Sequence, residues 1–165
     1  MYWTAEAVDQ LMAADKTLLG DGDWQCDAID RDCKLVFTLA IDGVPCGLSL
    51  QITDFPMQPS KGWTIIINAP PAVWRLDFDG PKEWHLNDVP EMHECPRLIY
   101  GPHYHPWRLN RAGVKRGRLP TELPLAMPLP AMRGFDATLH WFCDETRITI
   151  GKGQIPARPT PGTLL

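Results

Sequence analysis

The chain has 165 residues, a net charge of -4 from 16 Lys and Arg against 20 Asp and Glu, and 39 Leu, Ile, Val and Phe. That length fits one domain, the aliphatic share suffices for a buried core, and the small net charge excludes wholesale attraction to nucleic acid or an anionic membrane. No apolar run nears the ~18 residues of a membrane helix, and MYWTAEAVDQ lacks a basic-then-apolar leader. The expectation is a soluble, cytoplasmic protein with no membrane contact, one domain over residues 1–150 and a flexible tail over 151–165. The five cysteines, Cys26, Cys33, Cys46, Cys95 and Cys143, are odd in number and form no C-x-x-C pair, so free thiols are expected.

Val8, Leu11, Met12, Leu18 and Leu19 share one face of a 3.6-residue period behind Thr4, which predicts a surface helix over residues 5–19, ended by Gly20. Leu35, Phe37, Leu39 and Ile41 then alternate with Val36, Thr38 and Ala40. Beyond the Asp42-Gly43 turn signal, Leu48, Leu50 and Ile52 alternate with Ser49, Gln51 and Thr53, completing a hairpin. The run 63–68 is apolar on both faces, as a central strand is, and 73–79 sets Trp74, Leu76 and Phe78 opposite Arg75, Asp77 and Asp79. A short strand is expected at 97–101. Residues 106–132 read as a long ordered loop, because LPTELPLAMPLPAM places large apolar residues between prolines that exclude a long helix. A helix over 135–145 gathers Phe135, Leu139, Phe142 and Cys143 on one face, and Ile148 with Ile150 suggests an edge strand. The fold class is therefore α+β, with an N-terminal helix, an antiparallel sheet of four to six strands, a long proline-rich loop and a C-terminal helix.

The chemistry concentrates in one stretch. His85, His93, His103 and His105 fall in WHLNDVPEMHECPRLIYGPHYHPWRLNR, and only His140 lies elsewhere. On an extended segment His103 and His105 point to one side, the geometry of an acid/base pair or of two metal ligands. His93 and Cys95 share that spacing, so zinc on His93, Cys95, His103 and His105 is one reading, and a polar loop anchor is the plainer one. Arg75 and Asp77 either pair on a wet sheet face or support the site, with Asp77 accepting the second ring proton of His85 or His103. The segment 96–121 carries six basic residues and no acidic one, whereas residues 1–32 carry eight acidic and two basic. That polarity fits either an anion-binding loop or pairing between the two segments.

LIYGPHYHP is similar to the His-x-His-Pro zinc-binding stretch of the JAMM metalloproteases. The family's downstream Ser and Asp are missing: Ser60 is the last serine, and Glu122 is the only acidic residue between His105 and Phe135, so that activity is rejected. No G-x-S-x-G elbow or Gly-rich phosphate loop is present. The order Trp74-Arg75-Leu76-Asp77, Gly80-Pro81, His85 with Asn87, Gly101-Pro102-His103-Tyr104-His105, Phe135-Asp136 and Trp141-Phe142-Cys143, spanning roughly residues 70–150, resembles a group of small uncharacterised bacterial and prophage proteins. The resemblance implies His85, Asn87, His103 and His105 as the residues to test, and implies no reaction.

The leading expectation is a small bacterial or prophage protein with a polar histidine site at His85, Asn87, His103 and His105, whose activity, if it is an enzyme, is hydrolase- or nuclease-like. In that case one of His103 and His105 acts as general base and the other as general acid, with Arg97 or Arg108 on the anion and Tyr100, Tyr104 and Trp107 stacking bases if RNA is the substrate. The alternatives are a protein-binding module that docks through an exposed Trp107 and the 107–132 loop, and a structural zinc domain.

Overall fold

In the computed structural model, which describes residues 3–27, 29, 31–58, 60–88, 94–115 and 118–160, the chain enters through α1 (Ala5–Ala13). The Thr4 hydroxyl accepts from the Ala7 N–H at 3.2 Å, the capping its sequence announced. The helix stops at Ala13, well short of residue 19. Lys16, fully buried, donates from its ammonium to the carbonyls of Ala14 (2.6 Å), Leu11 (2.8 Å) and Met12 (3.3 Å), satisfying groups that the helix end leaves open. Burial holds that ammonium down at about 8. The chain then continues as β1 (Lys16–Leu19), so Leu18 reaches the core from a strand instead of a helix.

Ten further strands follow: β2 (Gln25–Asp27), β3 (Asp32–Ile41), β4 (Val44–Asp54), β5 (Trp63–Asn68), β6 (Ala72–Phe78), β7 (Trp84–Leu86), β8 (Leu98–Tyr100), β9 (His103–His105), β10 (Met127–Pro128) and β11 (Ile148–Thr149). The β3–β4 hairpin turns at Asp42 and Gly43, both at positive φ (50° and 77°), the combination an Asp-Gly pair tolerates best. Nine strands form one sheet in the order β10-β9-β6-β5-β4-β3-β1-β11, with β2 also on β3, and β7 and β8 form a separate ribbon. The α+β class holds, but the expected four to six strands are too few. The added strands are pieces of two to four residues, too short to show a period and created by pairing alone. All pairs in the nine-stranded sheet are antiparallel except β1 with β11.

One face of this sheet is the core. Leu35, Phe37, Leu50, Ile52, Ile65, Ile67, Trp74 and Leu76 lie on it, under α3 (Gly134–Thr146). Phe142 meets Trp74 edge-on at 4.7 Å, and Phe135 meets Trp63 edge-on at 5.6 Å. The 107–132 segment contains α2 (Trp107–Asn110) and a 3-10 turn (Arg111–Gly113), and its Leu119, Leu123, Leu125 and Ala126 are buried. Prolines there interrupt the backbone while the leucines between them anchor it.

Two expectations fail in the fold. Cys26 and Cys33 sit directly opposite one another on β2 and β3 and form a disulfide, so these two are not free thiols; Cys46, Cys95 and Cys143 are. Strand register decided that pairing, and sequence spacing does not show it. The tail is anchored as far as residue 160. Gln154 Nε2 donates to Leu18 O (3.1 Å) and Gly20 O (3.0 Å), and Arg158 grips Asp54 through Nε (2.6 Å) and Nη2 (2.7 Å) with its guanidinium 4.5 Å over the Trp63 ring. Residues 161–165 lie outside the described residues. Among the described residues, no helix is long and apolar enough to cross a membrane.

Candidate functional site

The register of β6 against β9 builds the site. Arg75 faces His105, Leu76 faces Tyr104 and Asp77 faces His103. Because strand side chains alternate, Arg75, Asp77, His103 and His105 share the face away from α3, while Trp74, Leu76 and Tyr104 point into the core. There Tyr104 stacks on Trp74 at 5.3 Å and meets Trp141 edge-on at 5.0 Å. Tyr104 is therefore a core aromatic and does not line the site.

The third histidine arrives on the ribbon. The β7–β8 pairing puts His85 and Ile99 on one face and Trp84, Leu86, Leu98 and Tyr100 on the other, the second set all exposed. Asn87 fixes the ribbon. Its side-chain amide donates to the Pro96 carbonyl and to Ala126 O (3.1 Å), and its Oδ1 accepts the Ala126 N–H (2.7 Å). With those bonds made and only 1% of the residue exposed, Asn87 is a clamp that positions His85.

The three imidazoles meet at ring separations of 5.1 Å (His85 to His103), 4.8 Å (His85 to His105) and 5.1 Å (His103 to His105). One nitrogen from each lies within 4.8 Å of the others. Backbone carbonyls fix two tautomers, since a carbonyl can only accept: His85 Nε2–H donates to Pro124 O (2.9 Å) and His103 Nδ1–H to Gly101 O (3.0 Å). In their neutral forms His85 Nδ1 and His103 Nε2 therefore keep lone pairs. His105 Nε2 lies 3.5 Å from Asp77 Oδ2, and its buried Nδ1 has no hydrogen-bond partner.

Asp77 is the charge at the centre. Its Oδ1 accepts from Arg75 Nε (2.9 Å) and the Thr64 hydroxyl (3.1 Å), and its Oδ2 lies 2.7 Å from Arg75 Nε and 3.8 Å from His103 Nε2. Burial pushes the carboxyl upward, but the His105 hydrogen bond and the Arg75 guanidinium together outweigh it and hold Asp77 at about 2. Burial, then the neighbouring His105, pushes His85 below its ordinary value, while burial and Asp77 push Asp79 upward. These groups line a cavity of about 440 Å³ whose rim includes Trp84, Glu122 and Pro124.

The sequence-derived candidates divide cleanly. His85, His103, His105, Arg75 and Asp77 converge. Arg97 and Arg108 are exposed and absent from the cavity lining. Trp107, expected exposed, is buried and donates from Nε1 to Asp9 (2.7 Å); Arg111 beside it pairs with Asp9 and Glu6, so part of the basic stretch does serve the acidic N-terminal segment. Cys95 packs with Leu109, Leu125 and Met127 in a separate apolar cluster, where burial pushes its thiol up, and it is not in the histidine group. His93 lies outside the described residues. Thr64, Asp79 and Trp84 were missed as site residues. Asp79 continues the Arg75, Asp77 alternation and was legible, whereas Thr64 required the β5–β6 register.

The fold and site define an α+β protein with a carboxylate-backed histidine cavity on the open face of its sheet. No family model, curated protein or solved structure matches the chain.

Proposed function

We propose that the chain is a hydrolase whose reaction centre is the cavity formed by Asp77, His85, His103 and His105. The observation that carries this reading is the convergence of three imidazoles, from β9 and a separate ribbon, two of them beside the buried Asp77 carboxylate, on an open cavity. Proton transfer by one of His103 and His105 from the attacking water, with return of a proton to the leaving group by the other, is the chemistry such a pair performs. Asp77 steadies the imidazolium that forms. Arg75, half exposed and bonded to Asp77 only through Nε, turns its terminal amino groups to a substrate oxygen, the role sought for Arg97 or Arg108.

The binding-module reading rests on a different surface from the one first considered. The 119–126 leucines are buried, and the exposed apolar side chains are those of the ribbon, with Trp84 at the cavity rim. That continuity makes the ribbon a wall of the same site. The resemblance to small bacterial and prophage proteins is compatible with this reading. A cytoplasmic setting would keep Cys26 and Cys33 as thiols.

A screen of carboxylic esters, phosphodiesters and an RNA oligonucleotide tests the proposal. Turnover of one class, lowered ~100-fold or more in His103→Gln and His105→Gln proteins that keep the parent's circular dichroism, is expected. Turnover no greater than that of a His85→Gln, His103→Gln, His105→Gln protein for every class removes the hydrolase reading.

A further inference from the structure

A two-histidine proton relay leaves the third imidazole without a task. Three ring systems from two separate sheet units, each with at least one nitrogen free of any strong hydrogen bond, are arranged as a set. We propose that His85, His103 and His105 together bind one divalent transition-metal ion of the zinc class, leaving a fourth position open to the cavity. The proposal rests on the hydrolase reading's choice of cavity and gives His103 and His105 a different task there, since an imidazole nitrogen on the ion no longer transfers a proton.

Geometry supports it first. Imidazole nitrogens around a tetrahedral ion, each ~2.0 Å from the metal, stand ~3.4 Å apart. The observed nitrogens, one from each ring, already lie within 4.8 Å of one another, so closing on an ion needs each pair to approach by no more than ~1.4 Å. Second, ligating histidines characteristically give their other N–H to a carbonyl or carboxylate that fixes the tautomer. His103 does so to Gly101 O and His85 to Pro124 O, while His105 has the Asp77 carboxylate at its Nε2 and a buried, unpartnered Nδ1.

Charge points the same way. Asp77, Asp79 and Glu122 line the cavity against Arg75 as the one guanidinium, an excess of carboxylates that suits a cation. Asp77 Oδ2 stands 3.8 Å from His103 Nε2, too far for a hydrogen bond and facing a lone pair, so a cation near both relieves that opposition. An all-imidazole donor set suits zinc, copper, nickel or iron, and three protein ligands with a vacant fourth position is the catalytic arrangement, distinct from a closed structural site. The set is also different from the His93, Cys95, His103, His105 grouping, because Cys95 belongs to another cluster. Since His85 sits on the ribbon and the other two on β9, the ion ties the ribbon to the sheet, and binding must raise thermal stability.

The test uses the full chain stripped with a chelator, then titrated with Zn²⁺ against a competing chromophoric chelator and with Co²⁺ by visible absorption. The expected result is one equivalent bound, a four-coordinate Co²⁺ spectrum without a thiolate charge-transfer band, and a metal-dependent rise in Tm. His103→Ala and His105→Ala abolish binding, His140→Ala leaves it unchanged, and Asp77→Asn weakens it ~10- to 100-fold. Because the two buried histidines can also disturb folding, the deciding variant is His85→Ala. It should keep the parent's metal-free Tm and lose the metal-dependent rise. Retained binding in His85→Ala, a thiolate band, or affinity no better than that of the triple variant overturns the proposal. Metal binding without turnover of any ester class sinks the hydrolase reading and leaves the metal site standing, whereas turnover by a protein that binds no metal in the titration sinks the site and leaves the hydrolase reading standing.

Discussion

Asp54 and Asp77 are two buried carboxylates on the same sheet, each held by an arginine, and they serve opposite ends. Asp54 lies on the core face in register with Trp63, and Arg158 closes over it with two short bonds from a distant part of the chain. Asp77 lies on the other face, where Thr64 and Arg75 hold Oδ1, Arg75 Nε also reaches Oδ2, and the imidazoles of His105 and His103 stand 3.5 and 3.8 Å from Oδ2. A carboxylate whose partners are all supplied is a fastening. Asp77 instead has an open cavity beside it and two imidazoles at looser distances. The contrast is one of completion, since burial is nearly the same at 0% and 4% side-chain exposure.

Removing the partner of the closed carboxylate should have the largest effect. Arg158→Ala strands Asp54 at full burial and is expected to cost about 3 to 5 kcal/mol in urea unfolding, whereas Asp54→Ala costs less, because the half-exposed Arg158 turns to water. Asn87→Ala comes next. It leaves the buried Ala126 N–H and carbonyl and the Pro96 carbonyl without their amide partner, for about 2 to 3 kcal/mol, and should loosen the ribbon enough to weaken metal binding at His85, a loss that chelator competition reads directly. Arg75→Ala should cost only about 1 kcal/mol, because Thr64 and the imidazoles remain beside Asp77. If Arg75→Ala proves as damaging as Arg158→Ala, the distinction between the two carboxylates collapses.

Asp9 supplies the smallest effect and a pH dependence. The hydrogen bond from Trp107, with Arg111, holds its carboxyl below the ordinary 3.8. A depressed native value means that the carboxylate adds stability above that ordinary value and loses it as pH falls through the native one. The small advantage of the parent over Asp9→Asn in Tm at neutral pH should therefore vanish on acidification below about pH 4.

Much of the site was legible because β-strand alternation is local. Arg75 and Asp77 share a face, His103 and His105 share a face, and no knowledge of the rest of the molecule is needed to say so. Their mutual facing was not legible, since it depends on β6 pairing with β9 across the 78–103 segment. His85 gives no local sign that distinguishes it from His93. Trp107 and Asn87 misled for one reason: a polar tip on a large or amide side chain looks the same in sequence whether it meets substrate, Asp9 or the Ala126 backbone.

Local patterning specified the β3–β4 hairpin, through its Asp-Gly turn and two alternating arms, the central β5 and the C-terminal helix. Each follows from a period of two or 3.6 residues or from the φ preferences of two turn residues, which act over neighbouring positions. Long-range packing alone makes Lys16–Leu19 a strand, brings Cys26 to Cys33, closes Arg158 over Asp54, and adds His85 to the histidine triad. Those outcomes come from strand register and core burial, in which segments far apart in sequence compete for the same partner groups, and a local pattern carries no record of which segment wins.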